Sequence, residues 1–81
     1  MRKYSDMFKI LKCEYAGVST YGNPKKRLVL ERVDTGEIEI ATTATNAVCG
    51  YMGYSQGGLF LMAYHYTRTS GAMIIDSAQE L

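Results

Sequence analysis

The stretch that most constrains the fold is "RLVLERVDTGEIEIAT", residues 27–42. Two strand-like runs flank Asp34-Thr35-Gly36, and a three-residue loop with glycine in its left-handed position is a common hairpin connection. Closing that loop with Val33 opposite Glu37 sets Leu30 against Ile40. It gathers Leu28, Leu30, Ile38 and Ile40 on one face, whereas a one-residue slip would set Leu30 against Glu39. The opposite face then carries Arg27, Val29, Glu31, Glu37 and Glu39, a mixed and locally acidic surface.

The flanking segments extend the β pattern. In "MFKILKCEYA" Leu11, Cys13 and Tyr15 alternate with Lys12 and Glu14, the period of a half-buried strand. Gly17 interrupts its continuation, the mark of a bulge or bend, and "GNPK" turns the chain at Pro24. Downstream, Ala44, Ala47, Val48, Tyr51 and Met52 fall at helical steps, with Thr43 as N-cap and Gly53 ending the helix in a left-handed conformation. "LFLMAYHYT" reads as a strand covered on most of both faces. "RTSGAM" forms a second hairpin with Gly71 in the special position, returning through "MIID", and residues 77–81 read as a loose tail.

The expected fold is therefore mainly β: five antiparallel strands in the order β-β-β-α-β-β with one short helix near 44–52, in a single domain spanning 1–81. That order, with a long first strand bent at a glycine, resembles the OB-fold barrel. A five-stranded open sheet carrying one helix, or a different small barrel, fits the same order.

At 81 residues, a folded chain buries only about 60% of the surface its unfolded form exposes, so stability is marginal or shared with a partner. Nine Lys and Arg against eight Asp and Glu give no overall field to concentrate the chain on nucleic acid or lipid. The charges are unevenly placed: eight of the nine basic and six of the eight acidic residues lie in 1–40, while 41–67 has none. So long an uncharged segment is either half core and half neutral surface, or in part an interface. The longest apolar run, 59–64, falls far short of the roughly 20 residues a spanning helix needs. "MRKYSDMFKILKCEYAG" lacks the apolar run of a signal peptide, which points to the cytoplasm, where Cys13 and Cys49 remain free thiols.

Catalytic groups are sparse. His65 lies mid-strand among aromatics and reads as a buried or half-buried structural residue. Two cysteines and one histidine at these spacings do not make a zinc site, so the residues call for no metal, cofactor or enzymatic activity. Gly50-Tyr51-Met52-Gly53 has the G-x-x-G spacing of the KH-domain loop, but lacks its basic residues and reads as a helix end followed by a turn. Single-strand binding would use the tyrosines and the basic patch Lys25, Lys26 and Arg27, against which stand Glu31, Glu37 and Glu39 on the β2–β3 face. Protein binding fits better: Tyr51, Tyr54, Tyr64 and Tyr66 supply rigid aromatic contact area, and Arg68 a charged one. If 59–67 is an edge strand, pairing with a second copy or a partner strand would cover it.

The stretches "YGNPKKRL", "TTATNAVCGY" and "YHYTRTSGAMIID" give the chain a resemblance to small β-rich accessory proteins of bacteriophages and mobile elements. Such proteins often act by binding a host protein, inhibitors of host defence such as anti-CRISPR proteins among them. The resemblance implies a stoichiometric inhibitor or accessory protein in the host cytoplasm, with a structural homo-oligomeric phage protein as a further alternative. It names no target. The expected partners are thus a host protein or a second copy, in a homodimer; a small OB-like nucleic-acid-binding barrel is the runner-up, and no membrane is expected.

Overall fold

The structure, a computed structural model, describes residues 2–45 and 47–81. Five strands, β1 (Lys3–Val18), β2 (Pro24–Arg32), β3 (Ile38–Thr43), β4 (Leu59–Tyr66) and β5 (Met73–Glu80), close into a barrel in the order β1-β2-β3-β5-β4. All neighbours are antiparallel except β3 and β5, which run parallel, so the expected all-antiparallel set is corrected at one seam. This is the strand order of an OB-type barrel.

β1 makes closure possible because it pairs twice. Residues 3–9 pair with β4 and 8–18 with β2. Two irregularities let it bend, one at Leu11 and one spanning Ala16 and Gly17. Gly17 sits at φ +94°, a conformation that costs a side-chain-bearing residue energy. The bulge at Leu11 also resets the alternation: Phe8 and Ile10 point inward before it, Cys13 after it, and Tyr15 is exposed.

The β2–β3 register differs from the expectation by one residue. Arg32 N–H donates to Glu37 O, so Val33 joins the loop, and Leu30 faces Glu39 while Leu28 faces Ala41. Ile38 and Ile40 are left outside, 57% and 65% exposed. The barrel interior explains the choice: Phe8, Ile10, Leu28, Leu30, Phe60, Met62 and Ile75 fill it completely, and β3 contributes the small Ala41 and Thr43 instead of two isoleucines. Glu39, now on the inner face, is held by Arg32 Nε at 2.7 Å.

Three further expectations are corrected. No α-helix forms near 44–52; a single 3-10 turn spans Val48–Tyr51, and Asn46 lies outside the described residues. Thr43 belongs to β3 and accepts Lys26 N–H on its hydroxyl, and Gly53 does not adopt a left-handed angle. The turn packs so tightly on β2 that a Cβ on Gly50 would lie 1.8 Å from Pro24 O, which makes glycine a packing requirement there. β4 is fully buried on one face only; on the other Leu59 and Leu61 are exposed and Ala63 and His65 half-buried. It is also no edge strand, since β1 and β5 flank it. Finally, residues 77–80, expected in a loose tail, continue β5 in pairing with β4, and Leu81 N–H donates to Leu59 O. The second hairpin forms as expected, with Gly71 at φ +69°.

Candidate functional site

Polar clusters close the two ends of the barrel core. At one end Arg32 donates to Glu39 Oε2 (2.7 Å), Asp6 Oδ2 (3.0 Å) and the Tyr66 hydroxyl (3.1 Å), while its guanidinium lies over the rings of Phe8 and Tyr64. The Tyr64 hydroxyl also donates to Asp6. Burial works against the Arg32 charge, but hydrogen bonds with Glu39, Tyr64 and Asp6 outweigh it and hold the guanidinium above its ordinary pKa. Burial, reinforced by the bond to Asp6, pushes the Tyr64 phenol up to about 12. At the other end Tyr54 packs on Phe60 and donates to Cys49 O at 2.7 Å, and burial pushes its phenol upward as well. Cys49, a free thiol also raised by burial, donates to Ile75 O.

The expected tyrosine constellation therefore separates. Tyr54 and Tyr64 are core residues; Tyr51 is exposed. Tyr66 and Arg68 share a cleft with Arg2 and Tyr4. Of the basic patch, Lys25 lines a groove, Lys26 is tied to Met52 O through Nζ, and Arg27 is exposed on the outer face of β2.

That groove, about 600 Å³, runs from the β1–β2 turn (19–23) to the β4–β5 turn (67–72) across the outer face of β3 and β5. The pairing registers generate it: Lys3 lies beside His65, His65 beside Ile74, Ile74 beside Thr42, and Thr42 beside Arg27. His65 Nδ1 meets Asp76 Oδ2 at 2.7 Å, so the carboxylate orients the imidazole. Among the described residues Asp76 is the only carboxylate lining the groove, against the cations Lys3 and Lys25. Among the described residues no cluster of three His, Cys, Asp or Glu is placed to hold a metal ion, and no helix is long and apolar enough to cross a membrane.

The β1–β2 turn at the head of the groove is pre-shaped. Ser19 Oγ donates to Thr45 O and accepts from the Tyr21 and Asn23 amides; Asn23 Nδ2 donates to the same carbonyl. Tyr51 docks on this turn by donating to Asn23 Oδ1. Tyr15 pairs across the strands with Lys26. Exposed rings thus flank this turn: Tyr21, 72% exposed, lines the groove with Lys25, Tyr51 (62%) is tied to Asn23, and Tyr15 (64%) lies beside Lys26, on the opposite face of the strand from Lys25. Nearby Glu14 is neutralised by Lys12 at 2.8 Å, a bond that also lowers its pKa.

Sequence reasoning missed Tyr15 and Tyr21 because it searched the uncharged segment. The signal available was the "TYGNPKK" turn itself, an aromatic next to glycine, proline and two lysines. The turn places Tyr21 beside Lys25 in the groove and ties Tyr51 to Asn23. The acidic β2–β3 face also shrinks, since Glu39 is turned inward onto Arg32.

No protein-family model, curated protein or solved structure matches the chain.

Proposed function

We propose that this OB-type barrel is a non-enzymatic binding module whose ligand is single-stranded nucleic acid, held along the groove between the β1–β2 and β4–β5 turns. The observation that carries the reading is exposed Tyr21 beside Lys25 at the groove's head, with exposed Tyr51 tied to Asn23 of the same turn. Single-strand binders combine stacking platforms with a positive groove, and OB barrels use these two loops and the strand 2–3 face for the purpose. Lys3 and Lys25 meet phosphates, the tyrosines meet bases, and Thr42, Thr45 and Thr67 add hydroxyls.

The test is fluorescence anisotropy with a labelled oligothymidylate over a range of salt. Affinity should fall as salt rises. Tyr21→Ala should weaken binding by about 5- to 150-fold, the value of one base stack of about 1–3 kcal/mol, without lowering thermal stability. Salt-independent binding, or an unchanged Tyr21→Ala variant, sinks the reading.

A second reading has its own observation. Met7, Leu59, Leu61, Ile38 and Ile40 stand exposed on the outer faces of the β1–β4 and β2–β3 pairs, with Lys9 and Glu31 between them and Val33 exposed in the adjoining loop. Exposed aliphatic area of this kind supports protein binding, either to a second copy or, for an inhibitor of the phage type, to a host protein. Light scattering at high concentration examines the self-association form: a dimer that Leu61→Lys turns into a monomer supports it, and a strict wild-type monomer removes it.

A further inference from the structure

The second cleft, about 590 Å³ and lined by Arg2, Tyr4, Tyr66 and Arg68, is separate from the groove. Side chains alternate along a strand, so the ribbon formed by the start of β1 and the end of β4 carries Lys3 and His65 on the groove side, and Tyr4 and Tyr66 on the other. Its rings are fixed before any ligand arrives. Tyr4 stacks on Tyr64 with centroids 5.5 Å apart, the Arg2 guanidinium lies 5.5 Å over Tyr4, and Tyr66 meets Tyr4 edge-on at 5.8 Å. The Tyr66 hydroxyl accepts from Arg32, which locks that ring to the barrel end.

The charges of the cleft are not balanced from within. Asp6 and Glu39 are both engaged by Arg32. Among the described residues neither Arg2 nor Arg68 makes an ion pair. Two guanidiniums beside two phenol rings, with no carboxylate among the described lining residues, ask for an anion attached to a planar ring. Guanidinium forks match phosphate oxygens in pairs, whereas ring faces accept any base. The volume lies within the range of pockets that take one small ligand.

We propose that this cleft binds a single nucleotide, its phosphate held by Arg2 and Arg68 and its base against the Tyr66 ring. The proposal rests on the nucleic-acid reading only for the ligand's class, since the cleft shares no lining residue with the groove. The nucleotide is either a free nucleoside 5′-phosphate or the 5′-phosphorylated end of a strand.

The test is isothermal titration calorimetry of the full chain with adenosine 5′-phosphate, adenosine, inorganic phosphate, and thymidine trinucleotides with and without a 5′-phosphate. Adenosine 5′-phosphate should bind about tenfold or more tightly than either half alone. Arg2→Ala and Arg68→Ala, both on the surface, should each weaken it by about tenfold, while Tyr21→Ala leaves it unchanged. A trinucleotide preference for the 5′-phosphate assigns the cleft to strand ends; binding of the mononucleotide without that preference assigns it to free nucleotide, and either supports the proposal. Adenosine 5′-phosphate binding no tighter than inorganic phosphate, or full affinity in Arg68→Ala, overturns it. The two readings fail separately: loss of oligothymidylate binding with an intact mononucleotide site removes the groove alone, and the reverse removes the cleft alone.

Discussion

Replacing Arg32 by methionine tests how the barrel end is held together. The methionine keeps aliphatic bulk over Phe8 and Tyr64 but removes three donated hydrogen bonds, two of them to carboxylates. Breaking a buried charge pair from one side costs about 3–5 kcal/mol, because the remaining charge is stranded. Here the Asp6 and Glu39 side chains keep 35% and 26% exposure, so water recovers part of the loss and about 2–4 kcal/mol remains. A domain of this size holds only about 4–12 kcal/mol in total, and each kcal/mol shifts the melting temperature by about 4–8 °C. Circular dichroism melts should therefore show a drop of about 10–25 °C. Adding Asp6→Asn and Glu39→Gln to Arg32→Met removes the stranded charges and should restore about half of the lost stability. A drop under about 5 °C for the single variant, or a triple variant worse than the single one, would refute this account of the plug.

Tyr54→Ala should cost about 3–5 kcal/mol as a core truncation and Tyr54→Phe only about 0.5–1.5 kcal/mol for the bond to Cys49 O, both read from urea melts. Gly50→Ala should prevent native packing, because its methyl would meet the Pro24 carbonyl; a native-like melting curve would contradict the close approach. The stability contributed by the Tyr64 phenol should be fully present below pH 10, the ordinary tyrosine value, and be lost as pH rises through about 12. The phenols of Tyr64 and Tyr54 are raised in the fold, so unfolding releases protons there; Tyr64→Phe should flatten the early part of that fall. Cys49, buried and raised, should resist iodoacetamide in the native state while half-buried Cys13 reacts, as peptide mass spectrometry would show, and denaturant should equalise the two.

The parts of the fold legible in the sequence were those written in local chemistry. Gly17 marked the bend of β1, Gly36 and Gly71 the hairpins, and five strands in order followed from them. Register was not local. The pattern "EIEIAT" offered Ile38 and Ile40 as the inward pair, but a barrel interior already filled from four other strands had room for Ala41 and Thr43. Arg32 could receive Glu39 only in the shifted pairing. The helix failed for a related reason. Ala44, Ala47 and Met52 do contact the core, so their spacing carried information, but Val48 and Tyr51 on the same stripe face solvent. The shared contact role given to Tyr51 and Tyr54 also divides, since Tyr54 is buried and Tyr51 exposed. The candidate site was legible only in pieces, because residues 3, 21, 25, 65 and 76 meet through barrel closure alone.

The most direct test of single-strand binding is an amide-resolved NMR titration of the labelled chain with an oligothymidylate at low salt. The account predicts shifts concentrated in residues 19–26 and 67–76, with Tyr15 and Tyr51 among them, and their loss on adding salt. Shifts confined to Met7, Leu59, Leu61 and Ile40, or none at all, would contradict it.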